Sequence, residues 1–376
     1  MKPRQNYQLK PEYIERIKKL LPEKSDYESY LESLKTRPTR SIRCNTLKIK
    51  PDELKKRLEE KYKWQIVQPF KKNPEIMIVE GKIAETKVSD DEKINENDKS
   101  SINNSISICE RSERSRGGGR GRGGQKNKNL ENLEPGELGR ALEHLLGYYY
   151  IQDIASMLPI IALQPNPEET LLDLCAAPGS KTTQAAALMK NTGNIIANEI
   201  SLGRLKILAS NSERCGVTNT ILTKKEGTAL CKKFQKENIK FDKILLDAPC
   251  SGEGTFCSKP KTYSMWNPKT IKSLSHLQKQ LFKEAFEILE TNGEMIYSTC
   301  THAPEENEEI VDWALTEFKD KIKVEKITLP KEFNSRPGIT EWDKQKYSKE
   351  VTKSIRVYPH DSNTEGFFLA KFKKTK

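Results

Sequence analysis

One stretch, residues 170–183 (TLLDLCAAPGSKTT), constrains the fold more than any other part of the chain. Its residues 170–174 predict a buried strand. Pro178 and Gly179 predict a turn, and a helix is expected from Lys181 onward. Small residues in the turn let a ligand approach the backbone closely, and the first N–H groups of the helix are free to bind it. The stretch therefore predicts an α/β domain with a ligand site at the turn, although such a turn can also connect two elements without binding anything.

A second apolar run, residues 195–198, ends in Glu199. In nucleotide-binding α/β folds an acidic residue about twenty residues beyond the glycine turn binds the ribose hydroxyls. Glu199 therefore predicts a cofactor that contains adenosine. A nucleoside triphosphate is not expected, because Ser180 separates Gly179 from Lys181 and the phosphate loop requires Gly-Lys-Ser/Thr.

The charge of the chain predicts a polyanionic partner. Lys and Arg number 65 against 53 Asp and Glu, which gives a formal net charge of +12 at pH 7. Charge acts on association rather than on the fold, and nucleic acid is the natural partner of a basic chain. A lysine-rich, solvated surface without such a partner is the alternative interpretation.

The cysteines and the first residues indicate the environment. None of the eight cysteines forms a CxxC pair or lies near a His cluster, so no metal site is expected. The start MKPRQNYQLKPEY contains no apolar signal region, and no run reaches the length of a membrane span. We expect a soluble, cytoplasmic protein with reduced thiols and no membrane partner. A nuclear location stays open if the source is eukaryotic.

Residues 1–81 predict a small α+β domain. Two amphipathic helices are expected within residues 11–34. They are followed by a strand at 41–49, a helix at 51–62 and strands at 64–70 and 75–79. Basic residues on or beside the first strand are candidates for phosphate contacts, although a solvated edge strand would look the same. These residues are Arg40, Arg43, Lys48 and Lys50.

Residues 82–135 predict a disordered insertion. They are rich in Asn, Ser, Glu, Lys and Arg and bury too little apolar area to fold. The arginine–glycine tract at 111–129 contains the glycine spacing of a dinucleotide site, but no strand precedes it and no helix follows, so we interpret the match as accidental. Arginines among glycines suit RNA contact without sequence preference, and a passive linker is the alternative.

Residues 136–376 predict an α/β domain. A helical pattern covers residues 138–163, and alternating strands and helices beyond it predict a parallel sheet closed by a hairpin. The strands are expected at 170–174, 195–198, 220–223, 241–247 and 294–298, and the hairpin at 354–358 and 367–372. Helices are expected at 202–215, 274–290 and 305–318.

Two cysteines lie directly beyond strands of this predicted sheet. Cys250 follows the strand at 241–247, and Cys300 follows the strand at 294–298. Ligands bind at the carboxyl ends of such strands, so both thiols and Asp247 meet beside the cofactor if these strands neighbour the first one. A single cysteine at such a place is more often a core residue, but two at adjacent strand ends indicate chemistry.

Two thiols, a carboxyl group and an adenosine cofactor fit the methylation of cytosine at C5. A thiolate that adds to C6 makes C5 nucleophilic toward an activated methyl group. A carboxyl group that hydrogen-bonds N3 supports the addition, and Asp247 is placed for this role. The C5 proton must then leave and the thiol must be eliminated, for which a second group near C5 is useful. An ordinary cysteine has a pKa of about 8.5, so the site must favour the thiolate or accept its proton.

Four blocks of the sequence resemble the signature motifs of the Nop2/Sun (NSUN) RNA cytosine-C5 methyltransferases. They are LDLCAAPGSKT at 172–182, DAPCSGEGT at 247–255, YSTCTHAPEEN at 297–307 and GFFLAK at 366–371. RCNTLK at 43–48 and YIQDIASMLP at 150–159 match two further elements. The resemblance, which is to archaeal-type members, implies a class I S-adenosylmethionine-dependent methyltransferase fold. This fold is Rossmann-like, with a mostly parallel seven-stranded sheet and a closing antiparallel hairpin. The resemblance implies that residues 136–376 form this catalytic domain and that residues 1–81 form an RRM-like domain that helps to bind RNA.

The resemblance also implies the roles of single residues. Cys300 would be the nucleophile, and Cys250 would assist product release. Glu226 stands where the family usually carries Asp. Contacts with S-adenosyl-L-methionine would be made by Cys175, Ala176, Ala177, Pro178, Gly179, Ser180, Lys181, Glu199, Arg204, Glu226 and Asp247. Lysines near the site are candidates for phosphate contacts with RNA: Lys259, Lys261, Lys269 and Lys272.

The leading hypothesis is therefore an enzyme that forms 5-methylcytosine in RNA. A tRNA is the first expected substrate and rRNA the second, because the chain lacks large additional RNA-binding domains. A catalytically inactive RNA-binding assembly factor is one alternative. DNA methylation is another, since Pro249–Cys250 superficially fits the DNA enzymes, but the Thr299–Cys300 block and the basic N-terminal domain favour RNA. The sequence leaves the oligomeric state open, with a monomer favoured.

Overall fold

The computed structural model describes residues 9–83 and 130–376, except for the side chains of residues 260 and 261. The predicted insertion at 82–135 therefore lies outside the described residues apart from its two ends. The helices are α1 (Pro11–Leu20), α2 (Lys24–Ser33), α3 (Pro51–Tyr62), α4 (Glu137–Arg140), α5 (Leu142–Leu145), α6 (Ile154–Leu163), α7 (Ser180–Leu188), α8 (Leu202–Cys215), α9 (Gly227–Lys236), α10 (Pro260–Met265), α11 (Pro268–Glu287), α12 (Glu308–Phe318) and α13 (Pro359–Ser362).

The strands form two larger sheets and a short hairpin. They are β1 (Ser41–Cys44), β2 (Trp64–Val67), β3 (Ile76–Ile83), β4 (Leu130–Glu131), β5 (Tyr149–Ile151), β6 (Thr170–Asp173), β7 (Asn194–Asn198), β8 (Thr220–Thr223), β9 (Phe241–Asp247), β10 (Leu289–Thr299), β11 (Ile322–Glu325), β12 (Arg336–Pro337), β13 (Glu341–Trp342), β14 (Gln345–Lys346), β15 (Ile355–Val357) and β16 (Phe367–Lys374).

The main sheet has the order β12-β15-β16-β10-β9-β6-β7-β8, and β11 also pairs with β16. The five strands from β10 to β8 in this order are parallel. β16 runs antiparallel to β10 and to β15, so the predicted class I methyltransferase fold with a closing hairpin is confirmed. Within the described residues the sheet has nine strands and not the predicted seven, because β12 extends one edge and β11 is added beside β15. β11 and β15 pair with different parts of the long strand β16.

The central strand β9 shows why a nearly continuous apolar run becomes a parallel strand. Side chains alternate between the two faces of a strand, and parallel sheets are covered by helices on both faces. Leu246 packs on one face in a core cluster that includes Phe282 of α11. Leu245 packs on the other face with Leu158 of α6. Burial on both sides holds the carboxyl end of β9, and hence Asp247, in the middle of the sheet.

The small sheet is antiparallel, with the order β2-β3-β1-β5 and β4 beside β3. The prediction of one helical stretch over 138–163 is wrong, because β5 lies within it and pairs with β1. Gly147 turns the chain before β5 with φ 71°, and a Cβ there would lie 1.8 Å from the Arg214 carbonyl oxygen. The division of the chain at residues 81 and 135, and the likeness of the first part to an RRM, stay predictions; the small sheet takes β4 and β5 from beyond residue 81.

The first two helices pack on the catalytic part of the chain. Tyr13 of α1 and Tyr30 of α2 belong to one buried cluster with Trp266 and Tyr358. Arg16 of α1 donates two hydrogen bonds to the Glu305 carboxylate, at 2.9 and 2.6 Å. These contacts join the N-terminal helices to the segment that follows Cys300.

Candidate active site

A cavity of about 590 Å³ lies at the carboxyl ends of β6, β7, β9 and β10. Its lining brings together the turn after β6, Glu199 after β7, Asp247 at the end of β9, and the two cysteines Cys250 and Cys300. These segments were predicted separately from the sequence. They meet because the carboxyl ends of neighbouring parallel strands lie at one edge of the sheet.

The glycine turn has the geometry that its sequence predicts. Cys175, Ala176, Ala177, Pro178, Ser180 and Lys181 line the cavity. Gly179 has φ 102°, and a Cβ there would lie 2.9 Å from Leu208 Cδ1 of α8. Glycine therefore allows both the turn and the close packing of α8 behind it.

Glu199 and Arg204 form one unit beside the turn. The Glu199 carboxylate is 3% exposed and accepts a hydrogen bond from the Ser201 amide at 2.8 Å. Arg204 Nη1 lies 3.0 Å from Glu199 Oε2, and Arg204 Nη2 donates to the Ala177 carbonyl at 2.6 Å. Both residues line the cavity, so the predicted ribose-binding carboxylate is held in place from the turn.

Glu226 also lines the cavity, but its carboxylate caps a helix. It accepts hydrogen bonds from the Thr228 amide at 3.0 Å and the Ala229 amide at 2.9 Å, and from the Thr228 hydroxyl at 2.6 Å. These bonds satisfy free amides at the start of α9. The predicted contact with the cofactor would have to use the side of Glu226 that faces the cavity.

Asp173 is a site residue that the sequence reasoning missed. It ends β6, is 1% exposed and lines the cavity. Thr182 donates to its Oδ2 at 2.6 Å, whereas Oδ1 has no hydrogen-bond partner among the described residues. Burial raises the pKa of Asp173 to about 7. The signal was present in the sequence, because an acidic residue at the end of a buried strand is rare without a partner.

Asp153 was missed for a different reason. Its carboxylate accepts the Ala155 amide at 2.9 Å and so caps α6, which is the ordinary role of Asp before a helix. The structure adds that Asp153 also accepts the Glu365 amide at 3.2 Å and that both residues line the cavity. Burial, followed by the charge of Glu365, raises the pKa of Asp153 to about 7.

The two cysteines are in contact. The sulfur atoms of Cys250 and Cys300 are 3.2 Å apart, and the Cys300 amide donates to the Cys250 sulfur at 3.3 Å. The hydrogen bond with Cys300, followed by burial, raises the pKa of Cys250 well above its usual range. Cys250 therefore keeps its proton at neutral pH in the resting site.

Asp247 is held by a network at the side of the thiols. Its Oδ2 lies 2.7 Å from Lys181 Nζ, and its Oδ1 accepts the Ser298 hydroxyl at 2.7 Å. Lys181 also donates to the Ser156 hydroxyl at 3.1 Å. A carboxyl group and an ammonium group are thus fixed next to the cavity, where they can exchange a proton with a bound base.

The predicted RNA contacts of the small sheet have other partners. Arg43 is 2% exposed, hydrogen-bonds Gln152 Oε1, and donates to the Ser180 carbonyl at 2.6 Å and the Thr183 hydroxyl at 2.8 Å. This burial leaves Arg43 no surface for a phosphate, so it links the small sheet to the start of α7. The ammonium group of Lys48 donates to the carbonyls of Leu146 and Arg214, at 2.9 and 2.7 Å.

Three of the four lysines near the site that are predicted to contact RNA have exposed side chains. Lys259 is exposed and lines the cavity, which suits a contact with RNA. Lys269 and Lys272 are exposed on α11. The side chain of Lys261 lies outside the described residues.

Among the described residues, three side chains away from the cavity lie close enough together to resemble a metal site: Asp26, His360 and Asp361. Arg336 already lies among these ligands, 2.6 Å from Asp26 and 2.7 Å from Asp361. Its guanidinium group supplies the positive charge there, and the expectation of no metal stays a prediction. In the part of the chain that the structure describes, no helix combines the length and apolarity needed to cross a membrane.

The chain matches a family model described as 16S rRNA methyltransferase RsmB/F over residues 160–373. A tRNA (cytosine(49)-C(5))-methyltransferase of Pyrococcus abyssi is 42% identical over 236 residues, which are 63% of this chain and 73% of that protein. Ribosomal RNA small subunit methyltransferase F of Aliivibrio salmonicida is 34% identical over 364 residues, or 96% of this chain and 63% of that protein. The chain thus spans less than two thirds of this bacterial relative.

A solved structure extends the similarity to the three-dimensional fold. The crystal structure of NSun6 from Pyrococcus horikoshii with SFG superposes with a TM-score of 0.72 and 25% identity, over 98% of each chain. The family model covers more than half of this chain and includes the turn after β6 and both cysteine segments. The chain therefore belongs to the RsmB/F family of RNA methyltransferases, in the Nop2/Sun group of cytosine-C5 enzymes that its motifs resemble.

Proposed function

We propose that this chain transfers a methyl group from S-adenosyl-L-methionine to C5 of a cytosine in tRNA. The observation that carries the proposal is the contact of two thiols, 3.2 Å apart, beside the Lys181–Asp247 pair in one cavity. The archaeal relative named for a tRNA cytosine supports tRNA as the substrate. Ribosomal RNA is the second candidate, because the bacterial relative named for small-subunit RNA aligns with 96% of this chain.

The residues around the turn after β6 fit the proposed cofactor. Asp173 Oδ1, which has no hydrogen-bond partner among the described residues, can accept a hydrogen bond from the ammonium group of the cofactor. Glu199 offers a buried carboxylate for ribose hydroxyls, and the close-packed turn lets the ligand approach the backbone. When bound, S-adenosyl-L-methionine supplies an electrophilic methyl carbon.

The first step of the proposed reaction belongs to Cys300. Its thiolate forms a bond to C6 of the cytosine, and the electrons of the C5–C6 double bond move into the ring and toward N3. The proton that the Cys300 thiol loses is passed to N3 by the Asp247 carboxylate, which Lys181 Nζ holds at 2.7 Å, and this proton neutralises the charge on N3. C5 is then electron-rich and takes the methyl group.

Cys250 acts in the last step. N3 returns its proton to Asp247, and the Cys250 sulfur takes the C5 proton while its own thiol proton passes to the Cys300 sulfur. The C5–C6 double bond forms again and the bond from C6 to Cys300 breaks. The two sulfur atoms lie 3.2 Å apart in the resting site, where the raised pKa of Cys250 keeps its thiol protonated. The target cytosine must be single-stranded or flipped out to reach the thiols.

The test is bisulfite mapping of RNA from cells with and without this gene. We expect at least one tRNA cytosine to lose its methylation without the gene, and to regain it from the wild-type gene but not from Cys300→Ala. Loss only at an rRNA cytosine would select the second candidate. No change in either RNA would contradict the enzyme and favour an inactive assembly factor.

The remaining partners follow from the same proposal. We expect RNA to bind across the cavity mouth, with Lys259 and Lys261 at phosphates, and the small sheet and the N-terminal helices to help hold it. A monomer and a cytoplasmic location are proposed, with no metal and no membrane partner. Light scattering of the purified full chain, alone and with tRNA, tests the oligomeric state.

A further inference from the structure

Two adjacent residues, Glu306 and Asn307, lie between Cys300 and helix α12. Both are 0% exposed, although one is acidic and the other an amide. The 3-10 turn Pro304–Glu306 brings their backbone beside the carboxyl ends of β9 and β10. The Tyr297 hydroxyl donates to the Glu306 carbonyl at 2.6 Å, which fixes the turn to β10. Most buried polar side chains are hydrogen-bonded, and these two side chains have different partners.

The Glu306 side chain holds the segment around Cys250. Its Oε2 accepts the Ser251 amide at 3.0 Å and the Gln278 side-chain amide at 2.8 Å. The same Gln278 amide nitrogen donates to the Pro249 carbonyl at 2.9 Å. Glu306 thus acts on the residues that directly precede and follow Cys250.

The Asn307 side chain holds the segment around Cys300, as Glu306 holds the segment around Cys250. Its Oδ1 accepts the Thr299 hydroxyl at 2.6 Å, and its Nδ2 donates to the Thr301 carbonyl at 3.0 Å. One side chain therefore binds both residues that flank Cys300.

Two hydrogen bonds connect the Cys250 segment directly to the Cys300 segment. The hydroxyls of Ser251 and Thr301 are hydrogen-bonded at 2.7 Å, and the Gly254 amide donates to the Cys300 carbonyl at 2.9 Å. The 3.2 Å contact of the thiols is thus set by how each segment is held. A displacement of about 1 Å at a reacting group can cost on the order of a hundredfold in rate.

We propose that Glu306 and Asn307 are positioning residues with separate tasks: Glu306 sets the release thiol Cys250, and Asn307 sets the nucleophile Cys300. The proposal rests on the proposed function. Its consequence is that substitutions of two neighbouring residues block opposite ends of the reaction. Loss of the Glu306 contacts delays release of the product, whereas loss of the Asn307 contacts delays formation of the adduct.

The first experiment measures the covalent RNA complex on denaturing gels with the full-length enzyme, S-adenosyl-L-methionine and the substrate RNA. Glu306→Ala should accumulate the RNase-sensitive complex as Cys250→Ala does, with turnover reduced about tenfold or more. Glu306→Gln should turn over close to the wild-type rate, because its amide oxygen can still accept the Ser251 amide. If Glu306→Gln behaves like Glu306→Ala, the charge and not the position matters, and the proposal fails.

The second experiment uses the Cys250→Ala background, in which trapped complex measures adduct formation alone. Adding Asn307→Ala should slow trapping about tenfold or more, whereas adding Glu306→Ala should leave it within about twofold. A Glu306→Ala variant that slows trapping as much as Asn307→Ala would overturn the division of tasks.

A control separates position from stability. Asp242 is at the opposite end of β9, where its carboxylate accepts the Thr170 amide at 2.8 Å and hydroxyl at 2.6 Å. Asp242→Ala should lower the melting temperature without changing the ratio of trapped to released RNA. If Asp242→Ala changes that ratio as Glu306→Ala does, general destabilisation explains the effect and the proposal fails. Failure of Cys250→Ala itself to trap RNA would instead contradict the proposed reaction.

Discussion

At the residue scale, the two thiols of the site have unequal environments. Both lie at strand ends beside the cavity, but the Cys250 thiol has a strongly raised pKa because of its contact with Cys300 and its burial. The Cys250 thiol also accepts the Cys300 amide. Two chemically identical groups can therefore perform different steps, because the protein around them differs.

The first prediction is that substitutions of the two cysteines block different steps. Cys300→Ala should abolish methyl transfer, because it removes the thiol that forms the bond to C6 in the proposed reaction. Cys250→Ala should permit addition and methylation but leave a covalent protein–RNA complex, since the C5 proton is not removed. A protein band of raised mass that disappears after RNase treatment measures the complex.

The controls for this prediction are two further variants. The Cys250→Ala/Cys300→Ala double variant should form no complex. Cys231→Ala, which changes a buried thiol of α9 away from the cavity lining, should keep methyl transfer. Normal turnover by Cys300→Ala would end the proposed mechanism.

The second prediction concerns pH and Asp173. Its folded-state pKa is raised by burial to about 7, compared with about 3.9 in an unfolded chain. A raised acid pKa gives stability that is complete below about pH 4 and is lost as the pH rises through about 7. The melting temperature of the wild type should therefore fall, relative to that of Asp173→Asn, between about pH 4 and pH 7.

Asn is chosen at position 173 because its side-chain oxygen can still accept the Thr182 hydroxyl. Calorimetry of both proteins across this pH range measures the difference. Parallel curves, with a constant difference in melting temperature, would show that Asp173 does not titrate there.

At the scale of elements, the turn between β6 and α7 shows how one backbone position supports the site. The third prediction is that Gly179→Ala lowers the free energy of unfolding by about 1–3 kcal/mol, the usual range for a residue forced into a strained backbone region. The reason is the φ of 102° together with the 2.9 Å approach of the new Cβ to Leu208. Denaturant unfolding measures the loss, and calorimetric titration measures weaker binding of S-adenosyl-L-methionine.

Gly139 supplies the matched control for this prediction. A Cβ added there meets no atom within 4 Å, and Gly139 lies within helix α4. Gly139→Ala should leave stability unchanged or raise it by up to about 1 kcal/mol. Equal effects of the two substitutions would contradict the role of the turn.

Elements with a strong periodic pattern could be predicted from the sequence. The helices Pro51–Tyr62 and Leu202–Cys215 and the strand Phe241–Asp247 have the predicted bounds. The strand Tyr149–Ile151 could not be predicted in this way, because it is three residues long and its partner Ser41–Cys44 is more than 100 residues earlier in the chain. Pairing with a distant strand decided its conformation against its local pattern.

At the scale of the whole molecule, charge and the position of the cavity govern RNA binding. The net charge of +12 and the exposed lysines near the cavity predict that RNA binding weakens as salt rises, because each phosphate contact releases a bound cation. The fourth prediction is that Lys259→Ala/Lys261→Ala lowers the slope of log affinity against log salt by about 1.4–1.8. Filter binding of tRNA at several salt concentrations gives this slope.

Lys323 provides the control at the far side of the sheet. It is exposed on β11, opposite Lys373 of β16. Lys373 pairs with Glu294, which pairs with Lys243 near the start of β9 and so away from the cavity. Lys323→Ala should leave the slope unchanged. A slope that is flat for the wild type would contradict an electrostatic contribution to binding.

The sequence by itself determined the parallel sheet, the turn after its first strand and the three groups Asp247, Cys250 and Cys300 at strand ends. These features depend on local periodicity and on a general property of parallel sheets, whose carboxyl ends meet at one edge. Only the tertiary structure decided that Arg43 is buried against Gln152, 109 residues away, and that one oxygen of Asp173 is left free. It also decided that Glu306 accepts the Ser251 amide beside Cys250, whereas Asn307 accepts the Thr299 hydroxyl beside Cys300. Such outcomes depend on which distant segments supply the partners of a polar group, and no local pattern contains that information.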